Sequence, residues 1–303
     1  MGSKRVAVVV NPVKVGDVEQ LRAAVTAAVG ERGYGEPVWM ETTVDDPGQG
    51  MARQAVDEGV DLVIVAGGDG TVRVVCVELA NTGIPLVILP AGTGNLLARN
   101  LGIPLTVDVA LTELLDGADR TIDLADVEGD ELPADRFTVM AGLGLDAAII
   151  EDAPDPVKKR IGWAAYAVAL ARNLNQSAVK VSITVDDRKP FVRHARTVVI
   201  GNVGTLTADI ALIPDARPDD GLIDVVVLSP NRLSHWPRVV WRILSRSDVR
   251  DPHIHRRAGR RITVTAAEPM RRQLDGDPTT PGRTLTAVVA PNALTVRSPK
   301  TEA

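Results

Sequence analysis

Short apolar runs alternate with amphipathic stretches through the first third of the chain. The runs are brief and rich in β-branched residues, which is typical of strands buried on both faces of a parallel sheet. The stretches between them, 18–29, 50–58 and 72–79, place apolar residues at helical spacing. The resulting β-α-β-α-β-α-β order predicts a doubly wound parallel α/β domain. The four predicted strands are Val6–Val10, Pro37–Glu41, Leu62–Ala66 and Leu86–Leu89.

Glycine-rich turns follow the third and fourth predicted strands. One reads GGDGT from Gly67 and the other PAGTGN from Pro90, and each leads into an apolar helical pattern. Glycine allows backbone N–H groups to approach an anion, and the positive end of a helix dipole favours negative charge there. Adjacent parallel strands end at one edge of a sheet, so the two turns together predict a site for a nucleotide polyphosphate. Neither turn has the Walker or the dinucleotide pattern, and an ordinary tight turn stays open for GGDGT alone.

The pattern changes to alternation with a period of two from about Arg120. This alternation predicts a second, mainly antiparallel β domain that begins after Val127. Amphipathic helices are expected at 161–174 and 236–244. Asp251, His253 and His255 have spacing that could suit a metal, but they are interpreted as part of a connector rich in proline and arginine, without a fourth ligand. The arginines between Arg256 and Arg272 are interpreted either as a solvated face or as a surface for ATP phosphate or anionic lipid. Strands are expected at 122–127, 137–141, 179–185, 197–200 and 223–228.

Composition narrows the functional classes. The 303 residues suffice for two domains. The net charge of −5, the pI near 5.5 and the aromatic content of 3% disfavour a nucleic-acid binder. No apolar run approaches the roughly 18–20 residues that a membrane-spanning helix needs, so we expect a soluble, cytoplasmic protein. The single cysteine, Cys76, lies on the apolar stripe of a predicted helix and is interpreted as core packing.

The sequence GGDGT followed by PAGTGNLLARNLGIP resembles the catalytic domain of the diacylglycerol kinases, the soluble lipid kinases related to sphingosine and ceramide kinases. The resemblance extends over nearly the whole chain. It implies transfer of the γ-phosphate of ATP, with Mg²⁺, to a lipid hydroxyl in the cleft between the two domains. The first substrate to consider is diacylglycerol, which would give phosphatidic acid. The lipid would be reached by peripheral contact with the inner face of the membrane, and association into a homodimer stays open.

The same resemblance assigns residues to the nucleotide. The change of pattern divides the chain into 1–127 and 128–289, and the resemblance implies that about 290–303 complete the first domain. The loop after the first strand matches the family at Asn11 and Pro12, although Lys14 and Val15 replace the usual Ser-Gly. Thr42 and Thr43 are nucleotide candidates for which a capping or turn role stays open. The remaining nucleotide-binding candidates are Gly67, Gly68, Asp69, Gly70, Thr71, Gly92, Thr93, Gly94, Asn95 and Asp277.

Acidic residues complete the expected chemistry. The resemblance makes Asp275, in the sequence DGD, the general base, and Asp69 the organiser of metal and phosphate geometry. Acidic groups packed around a glycine turn repel one another unless a cation lies among them, which indicates a divalent ion at Asp219 and Asp220, with Asp215 as a third candidate. An exposed turn stays open for that segment. In the resembled kinases it supports a structural Mg²⁺.

Two alternatives share the GGDGT motif or the fold. NAD kinases also carry this motif and phosphorylate a soluble dinucleotide instead of a lipid. A nucleotide sensor that has kept the fold and lost catalysis is the other alternative, because Leu96 and the pair Arg73-Val74 replace residues common in the family.

Overall fold

A computed structural model describes residues 3–144, 178–205, 212–229 and 252–300. The chain divides into two compact units, the first made of Met1–Asp123 with Asn292–Ala303 and the second of Leu124–Pro291. The predicted helices at 161–174 and 236–244 lie outside the described residues. Across the described ranges, no helix combines the length and the hydropathy needed to cross a membrane.

The first unit contains a parallel sheet in the order β14-β4-β3-β1-β2, with the last residues of β14 at one edge. Val296 of β14 pairs in parallel with Leu86 of β4, so the end of the chain joins this sheet. The central strands β1, β3 and β4 are buried along their whole length. These strands are β1 (Val6–Val10), β2 (Val38–Glu41), β3 (Leu62–Gly67), β4 (Leu86–Pro90) and β14 (Asp277–Ser298).

Helices pack in pairs on this sheet, α1 with α5 and α2 with α3. The connection from β1 to β2 runs towards one edge of the sheet, and the connection from β2 to β3 runs back past β1 towards the other edge. Because such crossovers are right-handed, α1 and α2 lie on opposite faces, as a doubly wound sheet requires. Cys76 of α3 is fully buried, which confirms it as core packing. The helices are α1 (Val18–Gly30), α2 (Gln49–Asp57), α3 (Asp69–Leu79), α4 (Leu96–Asn100) and α5 (Val107–Leu115).

The second unit is built from antiparallel strands. Strands β12, β11, β10, β7 and β13 lie side by side in that order, β8 and β9 extend from β13, and β5 pairs with β6. Its core is aliphatic, with Phe137 the largest fully buried apolar side chain in it. The strands are β5 (Ala118–Gly129), β6 (Leu132–Phe137), β7 (Met140–Leu143), β8 (Val179–Val185), β9 (Phe191–Ala195), β10 (Thr197–Gly201), β11 (Ile223–Leu228), β12 (Ile254–Gly259) and β13 (Arg261–Leu274).

The interpretation of the segment around His255 as a connector is wrong. Ile254–Gly259 forms β12, which pairs with β11 residue by residue from Leu228↔Ile254 to Ile223↔Gly259. The arginines of this segment have little strand preference of their own. Cross-strand hydrogen bonds to β11 decide the conformation instead, which is an example of tertiary context overriding local propensity.

Candidate functional site

The two glycine-rich turns of the first unit touch through their backbones. A Cβ on Gly92 would lie 2.7 Å from the Cα of Gly68, and a Cβ on Gly67 would lie 2.9 Å from the Cβ of Thr71. The Ala91 N–H donates to the Gly67 carbonyl at 3.0 Å. At Gly92 a side chain would meet the other turn, and at Gly67 it would meet Thr71 of its own turn. The glycines therefore allow the two loops to form a single continuous backbone surface, as the sequence predicted.

Asp69 joins the two turns. Its carboxylate accepts the backbone N–H of Asn95 at 2.8 Å and that of Leu96 at 2.6 Å, one on each oxygen. A Cβ on Gly94 would lie 2.7 Å from the Asp69 carboxylate, so this glycine also serves the contact. Asp69 thus satisfies N–H groups at the start of α4 that would otherwise lack partners. Each carboxylate oxygen keeps a further lone pair for a ligand.

Asn95 fixes the second turn from within. Its backbone is left-handed, with φ of 49°. The side-chain Oδ1 accepts the Gly92 N–H at 2.9 Å, and Nδ2 donates to the Gly92 carbonyl at 2.8 Å. Arg99 donates from Nε to the Gly94 carbonyl at 2.9 Å. These hydrogen bonds fix the conformation of the turn without an external ligand.

The first turn of α3 remains available to an anion. Gly68 is the N-cap of this helix and no side chain caps it. Thr71, in the first turn, receives a hydrogen bond at its Oγ1 from Nδ2 of Asn11, at 3.3 Å. Uncapped N–H groups and the helix dipole favour a bound phosphate at this position. The loop after β1 is therefore hydrogen-bonded to the first turn of α3, which follows the first glycine-rich turn. Pro12, next to Asn11 in this loop, is half-buried.

Thr42 and Thr43 follow β2. Thr42 is buried and its N–H donates to the Val10 carbonyl at 2.9 Å, which continues the pairing of β1 and β2. The hydroxyl of Thr43 accepts the Asp46 N–H at 3.0 Å, and its own N–H donates to the Asp46 carbonyl. Both threonines thus have local structural roles, and their contact with a nucleotide stays a prediction.

In the second unit, Asp275 is buried with 7% exposure and has a left-handed backbone, with φ of 49°. Its Oδ2 accepts the N–H and the hydroxyl of Thr138, at 2.8 and 2.9 Å. Its Oδ1 accepts the N–H groups of Val139 and Met140, both at 2.8 Å. A carboxylate offers about four lone-pair positions. All four are used here, so Asp275 anchors residues 138–140, a role that the sequence did not reveal.

A general base needs a lone pair directed at the proton that it removes. Asp275 would have to exchange one of these four bonds to act on a hydroxyl. Asp277, two residues further along the same turn, is exposed. The assignment of the base to Asp275 stays a prediction, and the turn presents a second carboxylate beside it.

Arg272 is the largest fully buried side chain in the described part of the chain. Its guanidinium donates to Asp130 and to the carbonyls of Thr280 and Thr284. Backbone N–H groups of Arg283 and Thr284, with the nearby Arg272 charge, lower the pKa of Asp130. Neither the solvated-face nor the anion-surface interpretation fits Arg272, because its donors are engaged inside the unit.

The acidic segment of the second unit contains a further carboxylate, Asp224, that was not among the predicted metal ligands. Burial, followed by the charges of Asp220 and Asp215, raises the pKa of Asp224 to about 6. Asp220 itself accepts the Leu222 N–H at 3.0 Å. Within the described ranges, no group of three or more His, Cys, Asp or Glu residues is arranged to hold a metal ion. The ion predicted at Asp215, Asp219 and Asp220 therefore stays a prediction.

Comparison with known proteins identifies both units. The sequence model of the diacylglycerol kinase catalytic domain matches residues 5–127, and that of the YegS C-terminal NAD kinase β-sandwich-like domain matches residues 138–298. A Pseudomonas aeruginosa protein named "Probable lipid kinase YegS-like" is 34% identical over 289 residues, covering 93% of this chain and 90% of the relative. A Bacillus subtilis diacylglycerol kinase is 28% identical over 281 residues, covering 90% of each chain.

Solved structures agree in fold. A crystal structure of a diacylglycerol kinase from Bacillus anthracis superposes with a TM-score of 0.74 at 22% identity, covering 98% of both chains. An Archaeoglobus fulgidus NAD kinase, solved in complex with ATP, superposes with a TM-score of 0.55 at 14% identity, covering 98% of this chain and 94% of that one. With two matching domain models and a relative 34% identical over nearly its full length, the chain belongs to the diacylglycerol and lipid kinase family.

Proposed function

We propose that this protein transfers the γ-phosphate of ATP to the hydroxyl of a membrane lipid, with diacylglycerol as the first candidate and phosphatidic acid as its product. The observation that carries the proposal is the joined pair of glycine turns beside the uncapped N-terminus of α3. The relatives named as diacylglycerol and lipid kinases support the choice of a lipid acceptor.

Phosphoryl transfer depends mainly on positioning and on stabilising charge. The backbone N–H groups from Gly68 to Thr71 would hold the phosphates, and the dipole of α3 would favour their negative charge. Asp69 and Asn95 keep the second turn against the first, so the distance between the donors is set before the ligand arrives. Mg²⁺, the ion usual in kinases, would neutralise phosphate charge when bound.

The acceptor side of the reaction is assigned to the Asp275–Asp277 turn of the second unit. Asp275 would accept the proton of the lipid hydroxyl after exchanging one of its hydrogen bonds, and Asp277 lies two residues away on the same turn. The proposal also requires peripheral contact with the inner face of the membrane, where the lipid is found.

The test is transfer of labelled γ-phosphate from ATP and Mg²⁺ to diacylglycerol, sphingosine, ceramide or NAD, with the lipids in mixed micelles. A Gly92→Ala variant serves as the binding-deficient control, because its Cβ would separate the two turns. Label on a lipid with the wild type and none with this variant would support the proposal. Label on NAD alone would indicate an NAD kinase, and ATP binding without any transfer would indicate a sensor.

A further inference from the structure

Gln273 carries a buried hydrogen-bond donor that the described part of the chain leaves without a partner. The residue is 2% exposed, and its Oε1 accepts the N–H of Gly276 at 2.6 Å. Because that N–H needs an acceptor, the oxygen of the amide faces Gly276 and Nε2 points away from it. Among the described residues, Nε2 has no hydrogen-bond partner. Burying a donor unpaired costs free energy, so this Nε2 indicates a place for an oxygen atom of a ligand.

Gly142 allows the Gln273 amide to lie against the neighbouring strand. The two residues are paired across β7 and β13. A Cβ on Gly142 would lie 3.0 Å from Nε2, and the next nearest atoms, at 3.5 and 3.7 Å, belong to the same glutamine side chain. An alanine at this position would therefore displace the amide.

The face of the sheet that carries this amide is otherwise apolar. Gly142 pairs with Val199 of β10, which pairs with Val226 of β11, and both valines are fully buried. Residues paired across antiparallel strands project to the same face, so the amide and the two valines share one face. The alternate residues of these strands, such as Ala141, belong to the aliphatic core on the opposite face. One donor on an apolar face suits a ligand that is mostly hydrocarbon and carries an oxygen acceptor.

The donor also belongs to the turn assigned to the lipid hydroxyl. Gln273 precedes Asp275 by two residues, and Gly276, which holds the amide oxygen, follows Asp275 directly. In a diacylglycerol or a ceramide, an acyl carbonyl lies a few bonds from the hydroxyl. Sphingosine carries an ammonium group in that place, which donates hydrogen bonds and cannot accept one from Nε2.

We propose that Nε2 of Gln273 donates a hydrogen bond to the acyl carbonyl beside the reactive hydroxyl and makes the protein selective for acylated lipids. This inference rests on the proposed function and names the group of the lipid that is recognised. The wild type should prefer a diacylglycerol to the dialkylglycerol with the same chains, because the ether linkages lack the carbonyl. One such hydrogen bond, left unpaired with the ether, corresponds to a preference of about tenfold in kcat/KM.

The experiment measures kcat/KM for phosphate transfer from ATP to these two glycerolipids in mixed micelles, with ceramide and sphingosine as a second pair. The variants are Gln273→Met, which keeps the size of the side chain without the donor, and Gly142→Ala, which displaces the amide. Gln20→Met, at an exposed glutamine of α1, is the matched control. The ratio between the two lipids of a pair is compared within each variant, so a general loss of activity cancels.

We expect the ratio to fall below about twofold in Gln273→Met and Gly142→Ala and to stay at the wild-type value in Gln20→Met. Gly142→Ala removes no polar group, so the comparison stands even if Gln273→Met fails to fold. A loss of preference in the glycerolipid pair identifies an ester carbonyl as the acceptor, and one in the sphingolipid pair identifies an amide carbonyl. Equal ratios in the wild type and both variants would overturn the inference and leave the proposed lipid kinase intact. Transfer to none of the four lipids would overturn both.

Discussion

Replacing Asp275 with asparagine separates an anchoring role from a purely catalytic one. The aspartate accepts four hydrogen bonds, two on each oxygen, from residues 138–140. Asparagine keeps one accepting oxygen and replaces the other with an NH₂ group. In either orientation of the amide, two of the four donors from residues 138–140 would then face this NH₂ group instead of an acceptor. The substitution therefore removes two hydrogen bonds at a buried position as well as the negative charge.

The size of the effect follows from these bonds. A hydrogen bond to a charged group contributes about 1.5–3 kcal/mol, so losing two lowers the free energy of unfolding by about 3–6 kcal/mol. For a unit of 150–250 residues, 1 kcal/mol shifts the melting temperature by about 2–4 °C, so the decrease should be at least about 6 °C. An exchange that affected chemistry alone would leave the melting temperature unchanged.

The assay combines thermal unfolding, ATP titration and phosphate transfer, the last measured below the melting temperature of each variant. Asp277→Asn is the matched control, because it is the same substitution on the same turn at an exposed site and should lower the melting temperature less than Asp275→Asn does. An Asp275→Asn protein that melts with the wild type but no longer transfers phosphate would refute the anchoring argument and identify Asp275 as a free general base.

Three further predictions follow from the packing and the electrostatics. Gly92→Ala should weaken ATP binding at least about tenfold by forcing its Cβ against Gly68, whereas Gly30→Ala, which meets no atom within 4 Å, should bind ATP like the wild type in the same titration. Arg272→Met should lower the urea-unfolding free energy by about 1–3 kcal/mol, since it leaves the carbonyls of Thr280 and Thr284 without the guanidinium donor, and Arg272→Lys should recover less than half of that loss because lysine lacks the planar fork; wild-type stability in Arg272→Met would contradict this role of the buried guanidinium. Because the folded pKa of Asp224, about 6, lies above its unfolded value, the folded state holds the extra proton and stability should rise as pH falls from about 6 towards 4; Asp224→Asn should flatten that part of the melting-temperature profile, and an unchanged slope would argue against the shift.

The sequence predicted the first unit well because its signals are local. Consecutive β-branched residues, as in Val6–Val10, can be buried only in the middle of a sheet, and the structure buries all five. The glycines of GGDGT and GTGN indicated a close approach of backbones, and Gly68 and Gly92 do approach closely. Periodicity and glycine spacing encode this information within a few residues.

The second unit was less predictable because its strands depend on partners that are distant in sequence. Strand β12 contains two consecutive arginines and forms by pairing with β11, about thirty residues earlier. Arg272 was interpreted as part of a basic surface, yet it is buried because Asp130, 142 positions away, and several carbonyls receive its donors. Charge alone does not indicate burial, since burial depends on whether partners are present.

The sequence by itself determined the class of the protein: a parallel α/β unit with two glycine turns suited to phosphate, a β-rich second unit, and motifs of the diacylglycerol kinase family. Tertiary structure alone decided how individual side chains are used. It made Asp69 a link between two loops, engaged all four acceptor positions of Asp275, and placed the amide of Gln273 against Gly142. The physical reason is that hydrogen bonds and charge contacts depend on distance in space, which local sequence patterns do not encode.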